Sequence, residues 1–240
     1  MSIPLQSLPV MAMPSSVEAN CLVRNEWICG EYLRSRGSIL GDAVVQHVWI
    51  TVVSVALGLL IAFPLALMAR RYRRLEWIVV GATTALYTIP SLALFALLLP
   101  LTGLTSTTVV VGLVLYSLTI LVRNLLEGLR GVPEDVRESA LGMGYGGPRL
   151  LFRVELPLAL PAIMAGLRVA TVSTVALTTV GAIIGFGGLG NLLFQAVNTQ
   201  FRPQVLVAGV LCVVLAVTFD LLLLGLQRIL TPWSKTRAAA

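Results

Sequence analysis

Glu138-Ser139-Ala140, Gly144 and Val154-x-Leu156-Pro157 form a polar stretch set between two apolar blocks. Residues of these types at this spacing suit docking: an acid and a hydroxyl on a short helix, a small residue beside them, and a glycine that lets the chain turn. A water-facing helix between apolar runs is a contact surface for a partner. Two more ionisable residues, Arg168 and Asp220, stand alone inside apolar runs, where a charge has a partner or a task. They are read as a structural ion pair, since pairing lowers the desolvation cost of each. The parts for catalysis are missing: there is one histidine, His47, no Gly-x4-Gly-Lys-Ser/Thr phosphate loop, no metal-ligand cluster and no acid pair within a span. The chain is therefore expected to be no enzyme, to bind no metal or cofactor, and to take its energy from a separate protein.

The elements that must position these residues follow from composition. Hydrophobic residues make up 57% of the 240 and charged residues 12%, with a mean hydropathy of +0.92. That is more apolar surface than one water-soluble core can hide. Several uncharged runs exceed the roughly 20 residues that cross a bilayer. The expectation is an all-α, polytopic membrane helical bundle of about five spans, over 43–69, 77–99, 107–123, 158–184 and 205–229. Pro100-Leu101-Thr102-Gly103 and the threonines after it divide the second span from the third. The whole divides into an external segment 1–42, a membrane domain 43–230 holding a loop over 131–157, and a tail 231–240.

Orientation follows from the cations. Twelve Arg and Lys residues, including Arg70, Arg71, Arg73 and Arg74, fall on one side, against four on the other. Cytoplasmic loops retain positive charge, so the N-terminus is expected outside and the insert and C-terminus inside. This bias accounts for the net charge of +6 without nucleic acid. Met1–Pro14 has no basic start and three prolines, and reads as a loose tail rather than a signal peptide. Val23–Gly37 suits a short interfacial helix. Cys21 and Cys29 lie in this external segment, where they can form a disulfide or stay free.

Within the insert, Pro133-Glu134-Asp135 starts a helix with acids in its first turn. Gly142, Gly144, Gly146, Gly147 and Pro148 break it, and a second helix runs from Arg149 into Pro157. With its spacing, Glu138-Ser139-Ala140-x3-Gly144-x9-Val154-x-Leu156-Pro157 resembles the EAA loop of the permease subunits of bacterial binding-protein-dependent ABC importers. Ser139 and Val154 replace the family's Ala and Ile. The resemblance implies that Glu138, Ser139, Ala140, Gly144, Val154, Leu156 and Pro157 belong to a coupling helix and its anchor, docking on a cytoplasmic ATPase that binds ATP and Mg. It also implies a second permease copy or paralogue, two ATPase subunits and a solute-binding protein as partners, in the bacterial cell membrane.

Tyr87-Thr88-Ile89-Pro90-Ser91-Leu92, the segment Arg149–Pro161 and Ile184-Gly185-Phe186-Gly187-Gly188-Leu189-Gly190 are similar to permeases of the osmoprotectant importers, within a methionine-importer-like fold. That implies uptake of glycine betaine, choline, carnitine or a related quaternary amine. The alternatives are the same importer class with another small solute, such as an amino acid, and a passive oligomeric channel. Pathway candidates are Tyr87 and Pro90 at a kink, Thr171, Thr174 and Thr178 on span four, and Phe186, Gly187, Gly188 and Asn191 as an outer gate. For the threonines the competing reading is packing alone, since Gly166, Ala170 and Thr174 recur at the four-residue interval that lets helices approach. For the glycines it is an ordinary outer loop.

Overall fold

Helices satisfy every backbone group internally, which apolar surroundings require, and the chain obeys this nearly throughout. The computed structural model describes residues 20–233. In order these are α1 (Gly30–Ser35), α2 (Gly37–Arg71), α3 (Arg73–Thr88), α4 (Ser91–Thr102), α5 (Ser106–Arg130), α6 (Glu134–Gly142) and α7 (Gly147–Leu150). A π-helical turn (Leu151–Glu155), α8 (Leu156–Thr178), a 3-10 turn (Thr179–Ile184), α9 (Leu189–Asn198) and α10 (Arg202–Leu230) complete them. The tail Met1–Pro14 and the charges at Lys235 and Arg237 lie outside the described residues.

Four stretches are long and apolar enough to cross a membrane: 37–71, 106–130, 147–184 and 202–230. The predicted second span is a helix pair, α3 and α4, bent by 102°; counted as one span it makes a fifth. Pro90 explains the break, because it lacks an N–H and drives Ile89 into extended backbone. The Tyr116 hydroxyl donates to the Ile89 carbonyl at the bend. The helices also run past their expected limits; α5 continues through Arg123 to Arg130, carrying its last turns out to the charged end.

Helix α5 is the axis of the bundle, packing against α2, α3, α4 and α8. Glycines set the spacing. A Cβ on Gly58 would overlap Ser117, and one on Gly166 would overlap Asn124. Gly166, Ala170 and Thr174 are all buried, so their spacing marks a packing face. Helix α10 stands apart: it leans on α8 and α9 and leaves most of its surface uncovered.

The bundle has two chemically distinct ends. One gathers Arg70–Arg74, α6 and the last turn of α10 and is called here the basic end. At the other, the glycine end, the 3-10 turn reverses at Gly185 and leads into α9, a helix the sequence did not disclose. The predicted helix over Val23–Gly37 is confined to α1. Cys21 and Cys29 are disulfide-bonded with Cα atoms 5.6 Å apart, whereas eight helical residues would separate them by about 12 Å.

Candidate functional site

The elbow at the basic end is built from its glycine outward. Pro133 opens α6, and Glu134 and Asp135 occupy its first turn. At the other end the Tyr145 N–H bonds the Ala140 carbonyl (3.0 Å) and the Gly144 N–H bonds the Leu141 carbonyl (2.9 Å). These are the two bonds of a Schellman cap, which needs a left-handed residue at its fifth position. Gly144 supplies it with φ of +84°. A Cβ there would meet nothing within 4 Å. The glycine is thus required by backbone handedness and not by lack of room.

Ala140, read from sequence as part of the presented surface, is 2% exposed and faces the chain itself. Its smallness lets α6 lie close to α7 and the π turn. The outward surface is made by Glu138 and Ser139 together with Leu141 and Met143, which are 53% and 72% exposed. Ser139 is occupied locally, its hydroxyl donating to the Asp135 carbonyl at 2.8 Å. Phe152 is also exposed nearby in sequence, on the π turn.

What holds the elbow was not legible in the sequence. Glu155, the unspecified position between Val154 and Leu156, is buried, with its side chain 5% exposed. Arg70 donates to both of its oxygens, Nη1 to Oε2 and Nη2 to Oε1, each at 2.7 Å. Arg137 of α6 places Nε 2.8 Å from Oε1. One carboxylate thereby ties the end of α2, the elbow helix α6 and the base of α8. Bidentate arginine pairs of this kind are strong and fix orientation. Val154, Leu156 and Pro157 are half-buried around this carboxylate. Pro157 brings no N–H to the first turn of α8, and the preceding turn widens so that the Leu156 N–H reaches the Leu151 carbonyl. A clue lay in the sequence: an acid abutting an apolar span, within reach of many arginines. A second tie, Arg130 to Glu76 at 2.6 Å, joins α5 to α3. Arg123 donates to Thr84 Oγ1 (2.9 Å).

The remaining candidates separate into groups. Tyr87 is half exposed beside the bend at Pro90, with its ring edge-to-face on Tyr116 at 5.8 Å. Thr171, Thr174 and Thr178 are buried and each donates to the carbonyl four residues earlier in α8. Phe186 packs against the cluster of Ile50, Phe95 and Val109. Gly187 and Gly188 are buried, and Gly188 (φ +56°) lies so close to His47 that a Cβ would collide with the α2 backbone. Asn191 clamps the reversal by accepting from the Gly187 N–H and donating to the Gly185 carbonyl, both at 2.9 Å. His47 is wholly buried, its Nε2 3.0 Å from the Val175 carbonyl. Arg168 and Asp220 meet in a two-bond pair, Nε to Oδ1 and Nη2 to Oδ2, each 2.8 Å.

Residues 37–236 match the family described as "binding-protein-dependent transport system inner membrane component". The chain is 34% identical over 203 residues to the choline transport system permease protein OpuBB of Bacillus subtilis, covering 84% of this chain and 93% of that one. It is 37% identical over 207 residues to the osmoprotectant import permease protein OsmW of Salmonella typhimurium, covering 84% and 96%. Among solved structures, an inward-facing MetNI methionine ABC transporter superposes with a TM-score of 0.72 at 22% identity, over 82% of this chain and 98% of that one. That likeness carries the fold. The chain belongs to the family of inner-membrane components of binding-protein-dependent transport systems.

Proposed function

We propose that this member of the family is the permease subunit of an ATP-driven importer for a quaternary-amine osmoprotectant such as glycine betaine, choline or carnitine. Relatives about a third identical over nearly their whole length carry those solutes in their names. The observation that carries the coupling role is the elbow itself. An exposed Glu138, Leu141 and Met143 face sits on a helix whose end is capped at Gly144 and whose side is pinned through Arg137 to Glu155. Such a helix can pass a push to α2 and α8 without bending.

In this reading ATP and Mg are bound and ATP is hydrolysed by partner ATPase subunits, and this chain contributes no catalytic group. The basic end faces the cytoplasm, in keeping with the excess of arginine there. Two permeases, identical or paralogous, stand over two ATPase subunits, with a solute-binding protein delivering cargo at the glycine end. Closure of the ATPases moves α6, and the permease pair exchanges inward-open for outward-open states. The test is uptake of labelled choline and glycine betaine by the complete complex in sealed vesicles. Uptake that requires internal ATP is the expected result. Equal uptake without ATP is the behaviour of a channel and overturns the reading.

A further inference from the structure

The Arg168–Asp220 pair lies where a simple tether is poorly placed. Arg168 is near the middle of the continuous helix 147–184. Asp220 is ten residues, about 15 Å, from the end of α10. Both are therefore within a hydrocarbon core about 30 Å thick. Yet their side chains are 27% and 33% exposed on this chain. They open into a surface cleft of about 570 Å³ between α8 and α10, open along one side and walled otherwise by small and apolar residues including Ala165, Val169, Ser173 and Val217. Charges at this depth as a rule face a bundle interior or a water-filled space rather than acyl chains. The cleft lies within the size range of small-molecule sites, about 300–1,000 Å³.

We propose that this cleft is a stopping point for the transported solute, and that the pair selects zwitterions carrying a carboxylate and a quaternary ammonium over simple cations. The inference rests on the importer reading above and narrows its substrate class. Asp220 uses both carboxylate oxygens on Arg168, so the pair is its own closed state. A betaine is the complement of that pair. Its carboxylate takes the place of Asp220 on the guanidinium, and its ammonium, which has no N–H to donate, lies against the freed Asp220 carboxylate. The exchange keeps the cleft neutral at every stage. Choline brings one positive charge and no carboxylate, so it separates the pair and leaves Arg168 without an anion, at a cost that rises in surroundings of low dielectric.

The experiment compares labelled glycine betaine and choline uptake by the complete complex in vesicles with internal ATP, using one binding protein throughout. Arg168→Gln is expected to lower kcat/KM for glycine betaine about tenfold more than for choline, the loss of one charge-assisted interaction. Asp220→Asn is expected to lower both. The exchange Arg168→Asp with Asp220→Arg is expected to restore thermal stability in detergent without restoring glycine betaine uptake. Should Arg168→Gln fail to assemble, Arg168→Lys keeps the charge but loses the two-pronged geometry, and the glycine betaine to choline ratio is expected to fall. An unchanged ratio in either arginine variant, or recovery of uptake in the exchanged pair, reduces the pair to a tether and overturns the proposal. Wild-type vesicles that take up neither solute with ATP present overturn the importer reading instead.

Discussion

At the basic end, three elements meet on the single carboxylate of Glu155, and α3 meets α5 through Glu76 and Arg130. At the glycine end no carboxylate gathers several helices among the described residues; glycines let backbones touch, and single side chains such as Asn191 hold the turns. Gly188 lies on His47, and Gly190 lies so close to Thr179 that no side chain fits between them. The disulfide loop from Cys21 to Cys29 docks on the α9–α10 turn. Asn25 Nδ2 donates to the Gln200 carbonyl (2.9 Å), the Arg202 N–H donates to Asn25 Oδ1 (2.8 Å), and Tyr32 stacks edge-on against Phe201. Asn25 and Gln200, the two described non-glycine residues with positive φ, face each other across this contact. Discrete two-pronged ionic ties join helices at points and hold their orientation. Glycine contacts and a covalent loop fix a distance. Under the proposed function, the difference suits the basic end to transmission and the glycine end to closure.

The largest effect is expected where one residue serves three helices. Glu155→Ala leaves Arg70 and Arg137 facing each other without an anion, and is expected to destabilise the folded subunit by about 3–5 kcal/mol. Thermal unfolding of the complex in detergent measures it. Adding Arg70→Ala and Arg137→Ala is expected to recover part of that loss; no recovery would mean that Glu155 acts by shape alone. At the glycine end, Gly188→Ala meets both a left-handed backbone and the α2 backbone, and is expected to cost about 2–3 kcal/mol. If Gly187→Ala and Gly188→Ala leave transport and stability untouched, the closure role of this end is lost.

Replacing Cys21 and Cys29 by Ser opens a loop closed over a sequence separation of 8, with an expected loss of about 2 kcal/mol confined to the cap over the α9–α10 turn. Hydrogen exchange should then rise at Phe201 and Arg202 and not at α6. A rise at both ends would erase the contrast. Gly144→Ala is the mildest change, about 1–2 kcal/mol of left-handed strain, read as faster exchange over α6 and weaker coupling of ATP hydrolysis to uptake. Gly144→Asn, which tolerates that conformation, should lose less.

The elbow and four of the spans were legible because both are written in local chemistry: run length, a proline, and a glycine where a helix must stop. Pro90 likewise marked the bend between α3 and α4. Other features were hidden by being tertiary. Glu155 stood at a position the sequence pattern leaves unspecified, and only the fold brings Arg70 to it from 85 residues away. Ala140 carried the right residue type for the wrong face, since smallness serves close packing inward as well as docking outward. Helix α9 escaped because the glycines before it read as a loop; tertiary contacts with α10 and the 3-10 turn hold it. The threonines of α8 suited a polar path by type, yet each hydroxyl is spent on its own helix.

The most direct test of the transmission role is crosslinking from the exposed face of α6. A photoreactive residue at Met143 in the assembled complex is expected to capture the ATPase subunit, whereas one at Val197 on α9 captures none of it. Glu138→Arg should abolish the Met143 crosslink while membrane insertion persists. A Met143 probe that reaches only water or lipid in a complex proven to contain its ATPase would contradict the account.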